Sequence, residues 1–349
     1  MSQERVPADK LEAYARAIMR AHGVDEAQAA IVAKNKIWCD LVGRTGYGVL
    51  RLPIIMKRVR HGVLKSPCNP VFREIAPGLA HLDGDAGIGH YVAELAMTRA
   101  VELARANGIG AVGVSNSNYY GTNAYFLKLA ADAGMIALTF TNSYPKVAAH
   151  GGIKSVLGTD PLGFGAPRRN NEHILGDMAT SMTAGSKIRE YLSKGEPLPA
   201  GIAIDSEGNP ITDPKRFDEG AMLPVGGAKG YVLALMVEVL SAVVTGAGIS
   251  HGVASMYFDF TRSANIGHFF IAMDVARWMP LEAFFDRMEE LVSALKASGR
   301  PGEVRLPGGK RWRNYAANLK DGIPIDAKTR DELEQLSAPY GIPAPWGRS

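Results

Sequence analysis

The stretch between Val71 and Thr141 limits the fold most sharply, because its apolar pattern switches between the strand period and the helix period. Pro67, Pro70 and Pro77 punctuate two short extended runs, Val71–Ile75 and Leu79–Leu82, before a turn at Asp83-Gly84-Asp85. A helix is expected over Tyr91–Asn107 and stopped by Gly108, followed by a strand over Ala111–Ser115, a helix over Asn123–Ala133 and a strand over Met135–Thr141. Strands interleaved with helices predict an α/β core. Gly108-Ile109-Gly110-Ala111-Val112-Gly113 matches the G-x-G-x-x-G pattern, but a helix precedes it and a strand follows. A Rossmann turn needs the opposite order so that a helix N-terminus meets the pyrophosphate, so these glycines read as a helix stop.

On either side of this core the pattern is helical. Three helices are expected before residue 62: one starting at Pro7, one capped by Asp25 after the break at Gly23, and one over Val49–His61 after Gly43 to Gly48 interrupts the pattern. Lys57-Arg58-Val59-Arg60-His61 with Lys65 is the nearest approach to a basic patch and reads as the solvated face of a helix. The third helix also holds Leu50, Leu52, Ile54, Ile55 and Met56, too apolar for a face that reads a DNA groove. Later elements are a strand and turn from Ile202 to Pro210, a long apolar helix over Gly230–Thr245, a strand over His268–Met273, and helices over Leu281–Ala297 and Ala327–Tyr340. Strands scattered through 349 residues imply lobes assembled from non-contiguous segments. The divisions expected are a helical part over 1–70, an α/β part over 71–255, and a segment 256–349 that packs with the N-terminal part.

A net charge of +4 is too modest to imply nucleic acid. Met1 to Lys10 is polar, and no window reaches the roughly 18 uninterrupted apolar residues of a membrane span, so no signal peptide or membrane anchor is expected. With only Cys39 and Cys68 present, no disulfide framework is indicated, which fits the cytoplasm. The eight histidines show no H-x-x-x-H or H-E-x-x-H spacing, so no metal is expected. G-x-S-x-G is absent, and Gly226-Gly227-Ala228-Lys229-Gly230 lacks the remaining spacing and the Ser or Thr of a P-loop. Hydrolase and kinase chemistry lose their support.

Two other features favour a ligand. After the apolar run Ile174-Leu175-Gly176 and Asp177 comes a row of small and hydroxylated residues, Met178-Ala179-Thr180-Ser181-Met182-Thr183-Ala184, entering a helix. Pro224-Val225-Gly226-Gly227-Ala228-Lys229 then leaves one cation at the mouth of another helix. Small side chains, helix-start N–H groups and hydroxyls suit a phosphate, and two such turns around one anion would make a dinucleotide site. Two ordinary helix starts would read the same way. In Gly43-Arg44-Thr45-Gly46-Tyr47-Gly48-Val49-Leu50-Arg51, Arg51 lies about one helical turn beyond Tyr47 and can share its face. Ser115-Asn116-Ser117-Asn118-Tyr119-Tyr120-Gly121 is a strand end passing into a helix. An arginine suits a substrate carboxylate, and a tyrosine donates a proton if a nearby cation lowers its pKa from about 10. Packed aromatics with surface hydroxyls are the alternative for both tyrosines.

At these residues the chain resembles the malate/L-lactate dehydrogenase family of NAD(P)-dependent 2-oxoacid and cyclic-imine reductases. The likeness runs from Leu11 to Leu336 and includes Gly43 to Pro53, Asn116 to Gly121, Gly151-Gly152, Gly158-Thr159-Asp160-Pro161, Asp177 to Ser181, Pro224 to Gly230 and Arg300-Pro301-Gly302-Glu303. It implies a non-Rossmann NAD(P)-binding domain with a mixed sheet, a mainly helical domain built from both chain ends, and a homodimer. It also implies that Met178 to Ala184, Ala228-Lys229 and Gly302-Glu303-Val304 line NADH or NADPH, with Thr159 and Arg51 beside the substrate.

This chain departs from the family at the chemical centre. Where the family usually reads Ser-His-Gly it has Gly46-Tyr47-Gly48, and where the family reads Asn-His before Phe or Tyr and Gly it has Asn118-Tyr119-Tyr120-Gly121. Those histidines are the family's candidate proton donors. A further asparagine, in the Gly-Thr-Asn-Pro motif, is Asp160 here. Hydride reduction of a ketone leaves an alkoxide needing a proton, so loss of a matched acid costs roughly 10²–10⁴ in rate, whereas a protonated imine needs no such donor. The expectation is a reductase of a carboxylated imine or 2-oxoacid, with Arg51 on the carboxylate, Tyr47 and Tyr119 at the reacting centre, and His150 as an imidazole from another direction. A catalytically silent cofactor-binding structural or regulatory subunit is the other reading.

Overall fold

A computed structural model describes residues 4–346; of the polar N-terminal segment, residues 1–3 lie outside the described residues. The chain opens with strand β1 (Glu4–Val6) and helices α1 (Ala8–Ala21), α2 (Glu26–Leu41) and α3 (Leu52–Arg60). It continues through β2 (Val71–Ala76), β3 (Leu79–Asp83), α4 (Gly89–Asn107), β4 (Ile109–Ser117), α5 (Asn123–Asp132) and β5 (Met135–Thr141). Short strands β6 (Val147–Ala148) and β7 (Ser155–Leu157) precede β8 (Leu162–Ala166), β9 (Ile174–Met178) and α6 (Gly185–Lys194). Then come β10 (Ala203–Ile204), β11 (Ala221–Met222), α7 (Ala228–Glu238), β12 (Ile266–Asp274), α8 (Leu281–Ala297), α9 (Gly309–Asp321), β13 (Ile323–Ile325) and α10 (Ala327–Ser337).

The main sheet has seven strands in the order β2-β3-β4-β12-β5-β8-β9. Only β3 and β4 run parallel, joined through α4, and the remaining pairs are antiparallel. This mixed sheet is the α/β architecture expected, and it is not a doubly wound parallel one. The Gly108 motif behaves as a helix stop: Gly108 takes φ 88° at the end of α4, and β4 starts at the next residue. Gly110 serves packing, since a Cβ there would lie 2.1 Å from the Ala100 carbonyl oxygen and 2.6 Å from the Ala104 nitrogen of α4. Helices α4 and α5 cover one face, and α7 with its continuation covers the other. That continuation is a π-helix over Val239–Val243, so the single long helix expected over Gly230–Thr245 changes its hydrogen-bond register partway.

The two chain ends share one core. β1 pairs antiparallel with β13, and Leu11, Ile18, Val32, Leu52, Ile323, Leu333 and Trp346 pack in a single buried cluster. Asp25 caps α2 as its sequence suggested, accepting from the Ala27 and Gln28 N–H groups. The boundary expected at residue 256 does not mark where the chain leaves the sheet. β12 runs between β4 and β5, and it is β13, α9 and α10 that return to the N-terminal helices. Several elements were not anticipated: helix α9, the short strands β1, β6, β7, β11 and β13, and β8, which carries Gly163 and Gly165. Those glycines leave room for α5, because a Cβ at Gly163 would meet Asn123 and Leu127 within 3 Å.

Arg58 corrects the reading of residues 57–61 as a solvated face. It is 2% exposed, and its guanidinium donates to the carbonyls of Ser255, Met256, Asp259 and Arg262. Burial against carbonyl acceptors makes it a clamp on that loop. Leu52, Ile55 and Met56 of the same helix are buried. Among the described residues no helix is long and apolar enough to cross a membrane.

If Gly110 is there for packing, Gly110→Ala is expected to destabilise the fold by about 1–3 kcal/mol or more through overpacking. Urea unfolding reads this, and binding of NADH or NADPH per folded molecule should be unchanged, as it would not be for a phosphate-cradling glycine.

Candidate active site

The turn between α2 and α3 is built around a buried carboxylate. Asp40 Oδ2 accepts from the Val49 N–H at 2.9 Å, and a Cβ at Gly48 would fall 1.9 Å from Asp40 Oδ1, so only glycine fits at 48. Burial raises the Asp40 carboxyl to about 7, against the opposing pull of the Val49 N–H and Lys36. Two short 3-10 turns, Thr45–Tyr47 and Val49–Arg51, follow from this pinning. Arg51 Nε donates to the Gly46 carbonyl at 2.7 Å, which fixes the guanidinium beside Tyr47.

Tyr119 arrives from the far end of β4. Asn118 clips that loop in place, donating to the Ala86 and Gly87 carbonyls, each at 3.0 Å, and accepting from the Ala264 N–H at 3.2 Å. Tyr120 turns inward instead, is 2% exposed, and packs edge-on to His268. The two tyrosines after Asn118 therefore have different fates: one packs and one faces a cavity.

That cavity, of about 150 Å³, brings Tyr47, Arg51, Tyr119 and Thr159 together, with Ala184 at its edge. It also holds residues that sequence reading passed over, namely Tyr144, Lys146, Arg189 and Tyr257. The guanidiniums of Arg51 and Arg189 lie 5.8 and 5.6 Å from the Tyr257 ring. Among the described residues no carboxylate pairs with either arginine, and Lys146 pairs only with the exposed Asp218 at 3.1 Å. Nothing in the local sequence marks these residues, because α6, the Tyr144 loop and the 255–257 loop converge only in the fold. Burial pushes the Tyr119 phenol well above its usual range although Arg51 pulls it down, and burial likewise raises Tyr47. The expected lowering by a nearby cation is thus outweighed by desolvation, and both phenols are held protonated at neutral pH.

The two glycine-and-hydroxyl turns lie side by side. Met182 N–H donates to the Leu223 carbonyl and Val225 N–H to the Thr180 carbonyl, both at 2.8 Å, which joins the start of α6 to the start of α7. Neither helix has a side-chain cap, which leaves first-turn N–H groups open to an acceptor, although that of Lys187 in α6 already donates to the Ala184 carbonyl at 2.9 Å. Lys229 is exposed at the start of α7 and has no carboxylate partner among the described residues. Not every hydroxyl is free for an anion. Thr180 Oγ1 donates to the Thr159 carbonyl at 3.2 Å and Ser181 Oγ to the Thr183 carbonyl at 2.7 Å, so both serve the turn itself. Met178, Met182 and Ala228 are exposed, and Ala179, Thr183 and Ala184 are partly so.

Gly302 and Val304 line a second, larger cavity of about 940 Å³, together with Arg44, Asp177 and Arg311. Glu303 is exposed and its nearest cation is Arg300 at 3.6 Å. Asp177 is held by Thr122, by Asn123 Nδ2 at 2.9 Å and by the Ala124 N–H at 3.4 Å. The segment from Asp177 to Ala184 therefore runs from the large cavity to the small one. Arg44 and Tyr47 mark the same seam, with the Arg44 guanidinium 5.6 Å from the Tyr47 ring. His150 is exposed and does not line the small cavity; its ring lies where a Cβ at Gly227 would come within 3.6 Å of it. Among the described residues no group of three or more His, Cys, Asp and Glu is placed to hold a metal ion.

Asp160 uses both carboxylate oxygens, accepting from the Ser143 and Gly158 N–H groups at 3.1 Å each. An asparagine could supply only one such acceptor. Nearby Glu238, at the end of α7, takes Asn142 Nδ2 at 3.4 Å on one oxygen and has no partner for the other.

Residues 6–334 match the family model described as malate/L-lactate dehydrogenase. The chain is 38% identical to a malate dehydrogenase of Pyrococcus abyssi over 354 residues, covering 97% of this chain and 95% of that one. It is 31% identical to a Δ1-pyrroline-2-carboxylate/Δ1-piperideine-2-carboxylate reductase of Pseudomonas putida, covering 95% and 96%. The crystal structure of malate dehydrogenase from Entamoeba histolytica superposes with a TM-score of 0.92 at 27% identity, covering 99% and 100% of the two chains.

Burial raises Glu238 to about 7, opposed by the Asn142 hydrogen bond. With its folded pKa above its unfolded value of 4.5, the stability this group contributes is fully present below pH 4.5 and lost as pH rises through about 7. Glu238→Gln is expected to remove that share of the loss, at most about 3 kcal/mol. Urea unfolding between pH 4.5 and 8 checks it: the variant should fall less steeply than the natural chain, and parallel curves would mean the carboxyl is not buried as described.

Proposed function

This chain belongs to the malate/L-lactate dehydrogenase family of oxidoreductases, and on that premise we propose that it is an NADH- or NADPH-dependent reductase of a small carboxylated imine or 2-oxoacid. The reading is carried by one juxtaposition: two guanidiniums without carboxylate partners and two partly buried phenols share one small cavity, beside two uncapped helix starts. Uncapped N–H groups, exposed Lys229 and the small residues from Met178 to Ala184 would hold the diphosphate of a dinucleotide. Gly302, Glu303 and Val304 would meet its far end at the larger cavity. When bound there, the reduced nicotinamide supplies a hydride.

The chain's own residues then have separable tasks. Arg51 holds the substrate carboxylate in bidentate fashion, oriented by the Gly46 carbonyl. Arg189, Lys146 and Thr159 complete the polar wall. Tyr47 and Tyr119, protonated at neutral pH, donate hydrogen bonds toward the reacting atom. A phenol weakened as an acid by burial is a poor match for a developing alkoxide, while an imine that is already protonated asks only for positioning. This favours the imine, and relatives named for malate and for cyclic imine carboxylates bracket both substrate classes.

The protein is proposed to work in the cytoplasm as a homodimer. Val232, Met236, Val239 and Val243 form one exposed apolar stripe along α7 and its π-helical extension, on the side away from the sheet. Leu235 and Val244 are exposed beside it, and a contiguous exposed apolar patch of this kind marks an interface.

Four outcomes are expected. Purified protein given NADH or NADPH with a panel of cyclic imine carboxylates and 2-oxoacids should turn over at least one member. Arg51→Met should lower kcat/KM by about 10²-fold or more, and Tyr119→Phe should cost ketone reduction far more than imine reduction. Cofactor binding without turnover of any member would support the silent-subunit reading. Separately, Val239→Asp with Val243→Asp should convert a dimer into a monomer in analytical ultracentrifugation, and an unchanged sedimentation coefficient would place the interface elsewhere.

A further inference from the structure

Beneath the phenols lie two basic side chains with no carboxylate hydrogen-bonded to either among the described residues. Lys36, on α2, has no exposed surface, and its ammonium donates to the Tyr47 main-chain carbonyl at 2.9 Å and to His90 Nε2 at 2.5 Å. His90, in the first turn of α4, is equally buried, and its Nδ1 has no partner. Because the ammonium donates into Nε2, the neutral ring carries its proton on Nδ1. The ring stands edge-on to Tyr119, with centroids 5.6 Å apart and planes at 80°, and Lys36 Nζ lies 6.0 Å from the same Tyr119 ring. Gly121, at φ +91°, brings the backbone over the pair, for a Cβ there would sit 3.1 Å from His90 Nε2 and 3.6 Å from Lys36 Nζ.

Packing alone does not account for this arrangement. A buried ammonium without a hydrogen-bonded counter-ion costs stability that a hydrophobic side chain of the same volume would not. What Lys36 does touch are the backbone of one cavity tyrosine and, through one imidazole, the ring of the other.

We infer that Lys36 and His90 are positioning residues for the two phenols: Lys36 anchors the Tyr47 turn by its carbonyl and, through His90, sets the ring of Tyr119 against the small cavity. The inference rests on the reading of Tyr47 and Tyr119 as lining the reacting centre. It carries a pH dependence. The groups facing Lys36 are Cys39 and Asp40 on its own helix, Arg51 and the Tyr47 turn, His90 from α4 and Tyr119 from the end of β4, with His268 of β12 facing His90. Burial, aided by Arg51, lowers Lys36 to about 8 against Cys39 and Asp40. Below that pH the ammonium donates into His90 and favours ionisation of the nearby phenol, making Tyr119 a better donor. Above it, both effects fade, so kcat should decline on the alkaline side.

The test compares the natural protein with Lys36→Met, His90→Leu and His90→Gln, all checked for folding by circular dichroism. Lys36→Met is expected to lower kcat roughly 10²-fold, to change KM less than about threefold, and to abolish the alkaline limb near pH 8. His90→Gln, which keeps an acceptor for the ammonium, should restore part of what His90→Leu loses. Wild-type kcat and an unmoved limb in Lys36→Met would overturn the inference. A second readout needs no turnover: in protein labelled with 13C at tyrosine Cζ, Lys36→Met and His90→Leu should shift the Tyr119 resonance. An unshifted resonance overturns the inference even if the protein is an active reductase. A shifted one sustains it even if no substrate is reduced and the reductase reading falls.

Discussion

A carboxylate occupying the space of a missing side chain holds the turn from Thr45 to Arg51 together. Asp40 fits against Gly48 because glycine has no Cβ, and it is fixed there by the Val49 N–H. The three-residue turns on either side of Gly48 follow from that contact, and they place Tyr47 and Arg51 on one wall of the small cavity. One helical turn back on α2, Lys36 braces the same loop from below. A buried acid and a buried base are costly in isolation. Here they define where the polar groups of a mostly apolar helix must point.

The opposite wall is set by the sheet. Strand β12 joins β4 to β5 and so fixes the end of β4, from which Tyr119 extends, while Asn118 ties that end to residues 86, 87 and 264. The third wall comes from the two linked turns at the starts of α6 and α7, whose mutual backbone bonds tie residues 180–182 to residues 223–225. The site is therefore a seam between the helical part made by both chain ends and the mixed sheet. Such seams gather ligands because polar groups left over from two packing units meet there.

Several residues were visible in the sequence for a physical reason that survives folding. Tyr47 and Arg51 share a turn, so their proximity is local, and the glycines at 226 and 227 announce positive φ at a helix start. Arg58 was misread because a basic run looks solvated until the carbonyls of residues 255–262 fold over it. Thr180 and Ser181 looked like free donors, yet their acceptors are backbone carbonyls, one of them in a distant segment. Lys36 left one overlooked trace: it falls on the same face of α2 as Val32 and Cys39, which are both buried.

What the sequence by itself determined is the succession of most of the longer elements, α9 excepted, and the identity of several local turns, because periodicity, capping at Asp25 and the stop at Gly108 act over a few residues. The tertiary structure alone decided that Arg189, Tyr257, Lys146 and Tyr144 complete a cavity begun by Tyr47, that Tyr120 is core while Tyr119 faces the cavity, and that burial outweighs charge in setting the phenols' acidity. Those outcomes depend on which segments far apart in the chain exclude water together. Desolvation belongs to the packed assembly and cannot be assigned to any residue before its neighbours are known.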